Sequence, residues 1–199
     1  MKINTKFLGE GIFGSVYDLK IIDDRKIDPN LVVKVWGEGR LARDPWFIFA
    51  KMCKTMHSKY LPQIYYYDDV KGIAIMEKLY AELGHVIENK KFIKKYFFGS
   101  PDEQDVVAVF TTLLEDVDPK TKSVSGKITR TMRRLKIKPK QEFKDFIKFL
   151  DKLQASLKKK DMWLDDMHEG NIMVDKNMNL KIVDPCSSGP SSPGLNLDL

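Results

Sequence analysis

Short apolar runs separated by polar turns fill the first third of the chain, the pattern of strands rather than helices. Phe7-Leu8 and Ser15-Val16-Tyr17-Asp18-Leu19 flank a glycine-bearing turn and predict a hairpin. A polar turn over residues 23–30 precedes Leu31-Val32-Val33-Lys34-Val35-Trp36, a β-branched run that reads as a buried strand. Asp44 and Pro45 suit the N-cap and first position of a helix, whose apolar face is Trp46, Phe49, Ala50, Cys53 and Met56. Residues 64–67 and 73–76 read as two more strands.

After Leu79 the period becomes helical. Pro101-Asp102-Glu103 opens a helix with Val106, Val109, Phe110, Leu113 and Leu114 on its core face, and acids in a first turn suit the helix dipole. Residues 118–140 are polar and basic, and no element is assigned to them. A long helix follows, with Phe143, Phe146, Ile147, Leu150, Leu153 and Leu157 on one face. Two short strands are expected near residues 172–174 and 180–183, and the Ser/Pro/Gly-rich tail from Ser187 is expected to be mobile. The fold class is therefore α+β: five strands with one helix over residues 1–79, then a mainly helical part over residues 80–199.

Composition narrows this. Hydrophobic residues make up 43% of 199, enough for a core, which argues against global disorder. The net charge of +6 fits plain solubility, and equally attraction to nucleotide phosphates, nucleic acid or acidic proteins. Cys53 and Cys186 are too far apart in sequence to suggest a zinc site or disulfide framework, which fits a reducing cytosol. No signal peptide and no run of about 18 apolar residues is evident, so no membrane span is expected.

Three groups of residues carry candidate chemistry. Gly9-Glu10-Gly11-Ile12-Phe13-Gly14-Ser15-Val16 matches G-x-G-x-x-G-x-V. Alone it reads equally as a ligand-free hairpin turn; between two strands it is also the arrangement that lays backbone N–H groups over phosphates. Lys34, 20 residues after Gly14 and inside an apolar strand, reads as a phosphate-binding ammonium more readily than as a solvated side chain. The strongest signal is Asp166 with Asn171 five residues later and Asp184 after a second apolar strand. A carboxylate to orient a hydroxyl, a neutral oxygen ligand and an acidic one are what Mg²⁺-dependent phosphoryl transfer needs.

These motifs, with Val32-Val33-Lys34 and Ile75-Met76-Glu77-Lys78-Leu79, occur in the order of the protein-kinase-like superfamily, which the chain resembles over most of residues 7–186. Asp166-Met167-His168-Glu169-Gly170-Asn171-Ile172-Met173 with Val183-Asp184-Pro185 is most similar to one branch, the early serine/threonine kinase of autographivirus-type bacteriophages. The resemblance implies a minimal bilobal kinase-like fold: an N-lobe over residues 1–79 with glycine-rich loop, strand lysine and hinge, and a truncated C-lobe over residues 80–199. It implies ATP and Mg²⁺ as cofactors. Gly9, Gly11, Gly14 and Val16 would cover the nucleotide, and Lys34 would contact its phosphates. Met76 would back the adenine, to which Glu77 and Leu79 would offer backbone groups. Asp166 would accept the hydroxyl proton. His168 would donate to the γ-phosphate or position Asp166, unless it is simply a packed loop histidine. Asn171 and Asp184 would hold the metal. Host bacterial proteins would be substrates or targets in the bacterial cytoplasm, with self-phosphorylation at Ser187, Ser188, Ser191 and Ser192.

The chain also departs from the kinase pattern. No Asp or Glu occurs between Asp44 and Asp68, so the helix after Lys34 lacks the usual glutamate partner; Glu38 and Asp44 are the nearest acids, and Asp184 or the phosphates remain as partners. Leu164 and Asp165 stand where His-Arg is usual, Pro185-Cys186 where Phe-Gly is, and 15 residues follow Asp184. Two other functions therefore stay open: a small-molecule phosphotransferase, and a degenerate kinase-fold binder that inhibits a host factor. Nucleotidyl transfer is a minor further option. The nine Lys and Arg of residues 118–140 would dock an acidic partner or nucleic acid, or form a solvated face.

Overall fold

In a computed structural model of the chain, residues 3–11, 14–22, 25–26, 28–36, 45–114, 123–164, 167–185 and 187–188 are described. They fall into two units, Met1–Tyr80 and Ala81–Leu199. The architecture is mixed α+β, with a five-stranded antiparallel sheet in the first unit and most of the helices in the second.

In the first unit, β1 (Ile3–Gly11) and β2 (Gly14–Ile22) form a hairpin that closes with Gly11 opposite Gly14. The two-residue β3 (Arg25–Lys26) folds back on β2 inside the stretch expected to be only a turn. An Asx turn, in which the Asp28 carboxylate accepts from the Asn30 N–H at 2.8 Å, leads into β4 (Leu31–Val35). Then come α1 (Pro45–Met56), β5 (Ile64–Asp68) and β6 (Ile73–Glu77). The sheet order is β1-β2-β4-β6-β5 with every pair antiparallel. Central β4 buries Val32 and Val33 on opposite faces, which explains its unbroken apolar run. The buried arc of α1 is wider than expected, because Phe47 and Met52 are buried too while Met56 is only half-buried. Its cap residue, Asp44, lies outside the described residues.

The second unit begins with β7 (Ala81–Glu82), a strand that the helical period after Leu79 did not announce. The helices are α2 (Leu83–Val86), α3 (Lys90–Tyr96), α4 (Glu103–Leu114), α5 (Val124–Arg134) and α6 (Gln141–Lys158). Phe92, Tyr96, Phe97, Phe110, Phe143 and Phe146 interlock at centroid separations of 4.9–6.2 Å and form the core of α3, α4 and α6. The helix α5 occupies the basic stretch. Ser123 caps it by accepting from the Gly126 N–H at 3.1 Å, and Asp151 of α6 accepts from Ser123 Oγ and the Ser125 N–H. Val124, Ile128, Thr131 and Met132 are buried; Arg130, Arg133, Arg134, Lys136 and Lys138 are exposed.

After α6 the chain runs through β8 (Met162–Trp163), a 3₁₀ turn at Glu169–Asn171, the hairpin of β9 (Ile172–Val174) and β10 (Leu180–Ile182), and β11 (Ser187–Ser188). β7 pairs with β9 on the side away from β10, while β11 pairs with β8. Ser187 and Ser188 thus sit in a ladder opposite Trp163 and Met162, which corrects the expectation of a mobile tail starting at Ser187. Residues 189–199, including Ser191 and Ser192, lie outside the described residues. No helix among the described residues is long and apolar enough to cross a membrane.

Tyr96 joins the helical core to the β9–β10 hairpin. Its buried hydroxyl donates to the Met178 carbonyl at 2.8 Å and accepts from the Leu180 N–H at 2.9 Å. Removing that oxygen strands a buried N–H. Tyr96→Phe is therefore expected to cost about 1–3 kcal/mol in denaturant unfolding, despite conserving the ring. An unchanged midpoint would show that the pin contributes nothing.

Candidate functional site

Residues directly opposite in an antiparallel sheet share a face, as do residues two apart in a strand. The register aligns Val16 with Lys34, Lys34 with Ala74 and Ala74 with Tyr67; two residues along β2, β4 and β6, it aligns Asp18 with Val32, Val32 with Met76 and Met76 with Ile64. Val16, Val32, Lys34 and Met76 consequently lie on one face of the first unit's sheet. Ala74 and Met76 are buried there and Lys34 is half-buried. The Lys34 ammonium lies 4.8 Å from the Trp36 ring centroid and 5.0 Å from that of Trp46.

The three loop glycines are not equivalent. Gly14 packs on the backbone of β4: a Cβ there would stand 2.5 Å from the Val35 carbonyl oxygen and 3.4 Å from Trp36 Cα. At Gly9 a Cβ would meet nothing within 4 Å. Gly11 closes the hairpin opposite Gly14, and Ile12 and Phe13 lie outside the described residues. In the segment expected to meet adenine, the Glu77 N–H donates to the Gln63 carbonyl at 2.9 Å and the Lys78 N–H to that of Asn30. Lys78 Nζ also donates to Asp18 at 2.8 Å. The Glu77 N–H is thus already engaged, and the hydrogen bonds described for the segment end at Lys78.

In the second unit, Asn171 and Asp184 flank the β9–β10 hairpin. Ile172 pairs with Ile182, and the Val183 N–H donates to the Asn171 carbonyl at 3.0 Å, extending the ladder by one bond. Asn171 and Asp184 therefore leave the same end of one hairpin. Asn171 is buried and Asp184 half-buried. Just upstream, the Asn171 N–H donates to the His168 carbonyl at 2.9 Å, which closes the 3₁₀ turn. The Gly170 N–H donates to His168 Nδ1 at 3.2 Å, so in the neutral ring the proton sits on Nε2. A Cβ on Gly170 would stand 3.1 Å from His168 Cε1, so ring and turn are fitted closely. Asp166 lies outside the described residues. At the stem of the segment, Trp163 pairs with Ser187, which closes a loop containing residues 164–186.

At the other end of the hairpin Asp175 organises the turn. It accepts from the N–H groups of Asn177 and Asn179 at 2.8 and 2.9 Å and from Asn179 Nδ2 at 2.7 Å. Burial pushes its carboxyl pKa upward, but these hydrogen bonds and the nearby Lys181 charge outweigh that and hold it below the ordinary value of 3.8. Lys95 of α3 donates to the Asn177 carbonyl and Asn179 Oδ1 at 2.8 and 2.5 Å, beside the Tyr96 pin. Tyr96, Lys95 and Asp175 carry none of the sequence motifs. A polar run, Asp175-Lys176-Asn177, between two apolar triplets signals the turn; no local pattern marks Tyr96.

Asn171 and Asp184 offer two hard oxygen donors. Among the described residues no three His, Cys, Asp or Glu side chains form a metal-binding group. Two protein oxygens suit Mg²⁺, which usually keeps water and phosphate oxygens as its remaining ligands. For the glycine loop, Gly14→Ala is expected to destabilise by about 1–3 kcal/mol, because the methyl meets backbone. Gly9→Ala should stay within about 0.5 kcal/mol, since its methyl meets nothing. Thermal or denaturant unfolding of both variants checks this, and equal losses would contradict the packing difference. No protein-family model matches the chain, and no curated protein matches it.

Proposed function

We propose that the chain is a kinase-like phosphotransferase of the phage serine/threonine type, which uses ATP and Mg²⁺ to phosphorylate hydroxyls of host bacterial proteins and its own serines. The observation that carries this reading is the open end of the β9–β10 hairpin, where the Val183 N–H to Asn171 carbonyl bond brings the neutral Asn171 and the acidic Asp184 to one edge. The row of Val16, Val32, Lys34 and Met76 on one sheet face adds support from the other unit.

In this reading Asn171 and Asp184 hold Mg²⁺, which when bound neutralises charge on the phosphate oxygens. Lys34 supplies a further positive charge to the phosphates. Asp166 orients the substrate hydroxyl and takes its proton as that oxygen bonds to the γ-phosphorus; the bond to the bridging oxygen breaks and ADP leaves. His168, with Nδ1 engaged by Gly170, presents Nε2–H as a donor to a γ-phosphate oxygen.

Incubation with γ-labelled ATP, Mg²⁺ and bacterial extract should label host proteins. Asp166→Asn should reduce labelling by about 100-fold or more, the usual loss when a general base is removed. Equal labelling by wild type and Asp166→Asn would overturn the assignment. Binding of a host factor that survives both Asp166→Asn and Asp184→Ala, with no labelling by wild type, would establish a non-catalytic binder instead.

A further inference from the structure

We infer that the end of α3 and the segment leading into α6 form a platform for single-stranded nucleic acid, with a base stacked on Phe98 and the flanking phosphates met by Lys94, Lys138 and Lys140. The inference is independent of the phosphotransferase reading, because none of these residues belongs to that site.

The sequence sets the charge. Residues 90–98 and 133–140 together carry nine lysines and arginines and no Asp or Glu. The acids nearest in sequence, Glu88, Asp102 and Glu142, lie at least two residues outside them. The second stretch contains no aromatic residue, so by itself it offers charge without a stacking surface. The fold supplies the ring. Phe97 and Pro139 form an antiparallel bridge. Beside it, the Phe98 N–H donates to the Lys138 carbonyl at 2.9 Å and the Lys140 N–H to the Tyr96 carbonyl at 2.8 Å. Two basic stretches distant in sequence thereby become one surface.

Which side chains face out follows from the extended backbone. Phe97 has φ −130° and ψ 153°, and in such a chain successive side chains point to opposite sides. Phe97 is buried, its ring centroid 4.9 Å from that of Phe143. Phe98 therefore turns outward and is 57% exposed. Lys138, opposite it in the ladder, and Lys140, two residues on, share that outward face. The Lys140 ammonium lies 5.4 Å from the Phe98 ring centroid and donates to the Lys94 carbonyl, which ties the last turn of α3 to the ladder. Lys94, one helical turn before Phe98, is exposed, as is Lys138.

The exposed ring decides between polyanions. Carboxylates of an acidic protein would use the cations alone. A nucleotide uses both parts: its base offers a π-face to the phenyl, and its phosphates meet the ammonium groups around it. In a duplex the base faces are stacked on one another, so only an unpaired strand can use Phe98.

Fluorescence anisotropy of a labelled oligouridylate of about 15 nucleotides, titrated with the whole chain at several salt concentrations, tests the inference. Phe98→Ala should weaken binding by about five- to hundred-fold, the usual loss for one stacked base, and Phe98→Trp should retain it. Lys138→Ala should lower the slope of log K against log salt by about 0.7, the loss of one phosphate contact to a single strand. Unfolding midpoints should match the wild type, since both side chains are exposed. If Phe98→Ala fails to fold, Lys138→Glu probes the same surface and should weaken binding further than Lys138→Ala. No binding of the oligouridylate by the wild type would overturn the inference, as would equal affinity in folded Phe98→Ala or in Lys138→Glu. Equally tight binding of duplex RNA would overturn the stacking role. Polyglutamate bound as tightly as the oligouridylate, with Phe98→Ala changing neither, would overturn the inference and identify a docking face for acidic proteins.

Discussion

The hydroxyl of Tyr96 is the constraint on which the candidate metal-binding hairpin depends. An aromatic residue at the end of α3, with its ring buried against Phe92 and Phe143, reaches the hairpin and uses both hydrogen-bonding capacities of its oxygen on Met178 and Leu180. A buried hydroxyl with donor and acceptor both satisfied is directional, whereas apolar packing alone would let the hairpin slide. Lys95, one residue earlier, ties the same turn through Asn177 and Asn179, and Asp175 locks the turn from within. With one end fixed this way, the ladder sets the register of the other end, where Asn171 and Asp184 emerge. A second ladder, β8 with β11, holds the stem of the same segment.

Much of the secondary structure was legible because its periods are strong. The alternation of β2, the β-branched run of β4 and the three-to-four spacing of α4 and α6 each announce their element. The helix α5 was hidden for a physical reason. It buries only Val124, Ile128, Thr131 and Met132, and its exposed side carries so many cations that composition resembles a loop. The cap at Ser123 with apolar positions one, five and nine residues later was the available signal. β3, β7 and β11 are two residues each, too short for any periodicity, and exist because a partner strand is already in place.

At the candidate site the sequence showed which residue types were present, and the structure adds what shapes them. The spacing of Asn171 and Asp184 was readable; their meeting at one hairpin end depends on a backbone bond that no spacing rule contains. The glycine loop illustrates the opposite case. Its third glycine, Gly14, is required by the close approach of β4 whether or not a phosphate ever binds, so that part of the motif speaks to packing before it speaks to function. Lys34 gained its surroundings only in three dimensions, because Trp46, twelve residues later in sequence, reaches it from α1.

The central claim is that Asn171 and Asp184 act as one metal–nucleotide site. Electron paramagnetic resonance of Mn²⁺ titrated into the protein with a non-hydrolysable ATP analogue tests it most directly, with Asn171→Ala, Asp184→Ala and the double variant compared in a cycle. The account predicts that each single change weakens Mn²⁺ binding and that the double change costs less than the two combined, because both residues serve the same ion. Wild-type Mn²⁺ affinity in either single variant would contradict it.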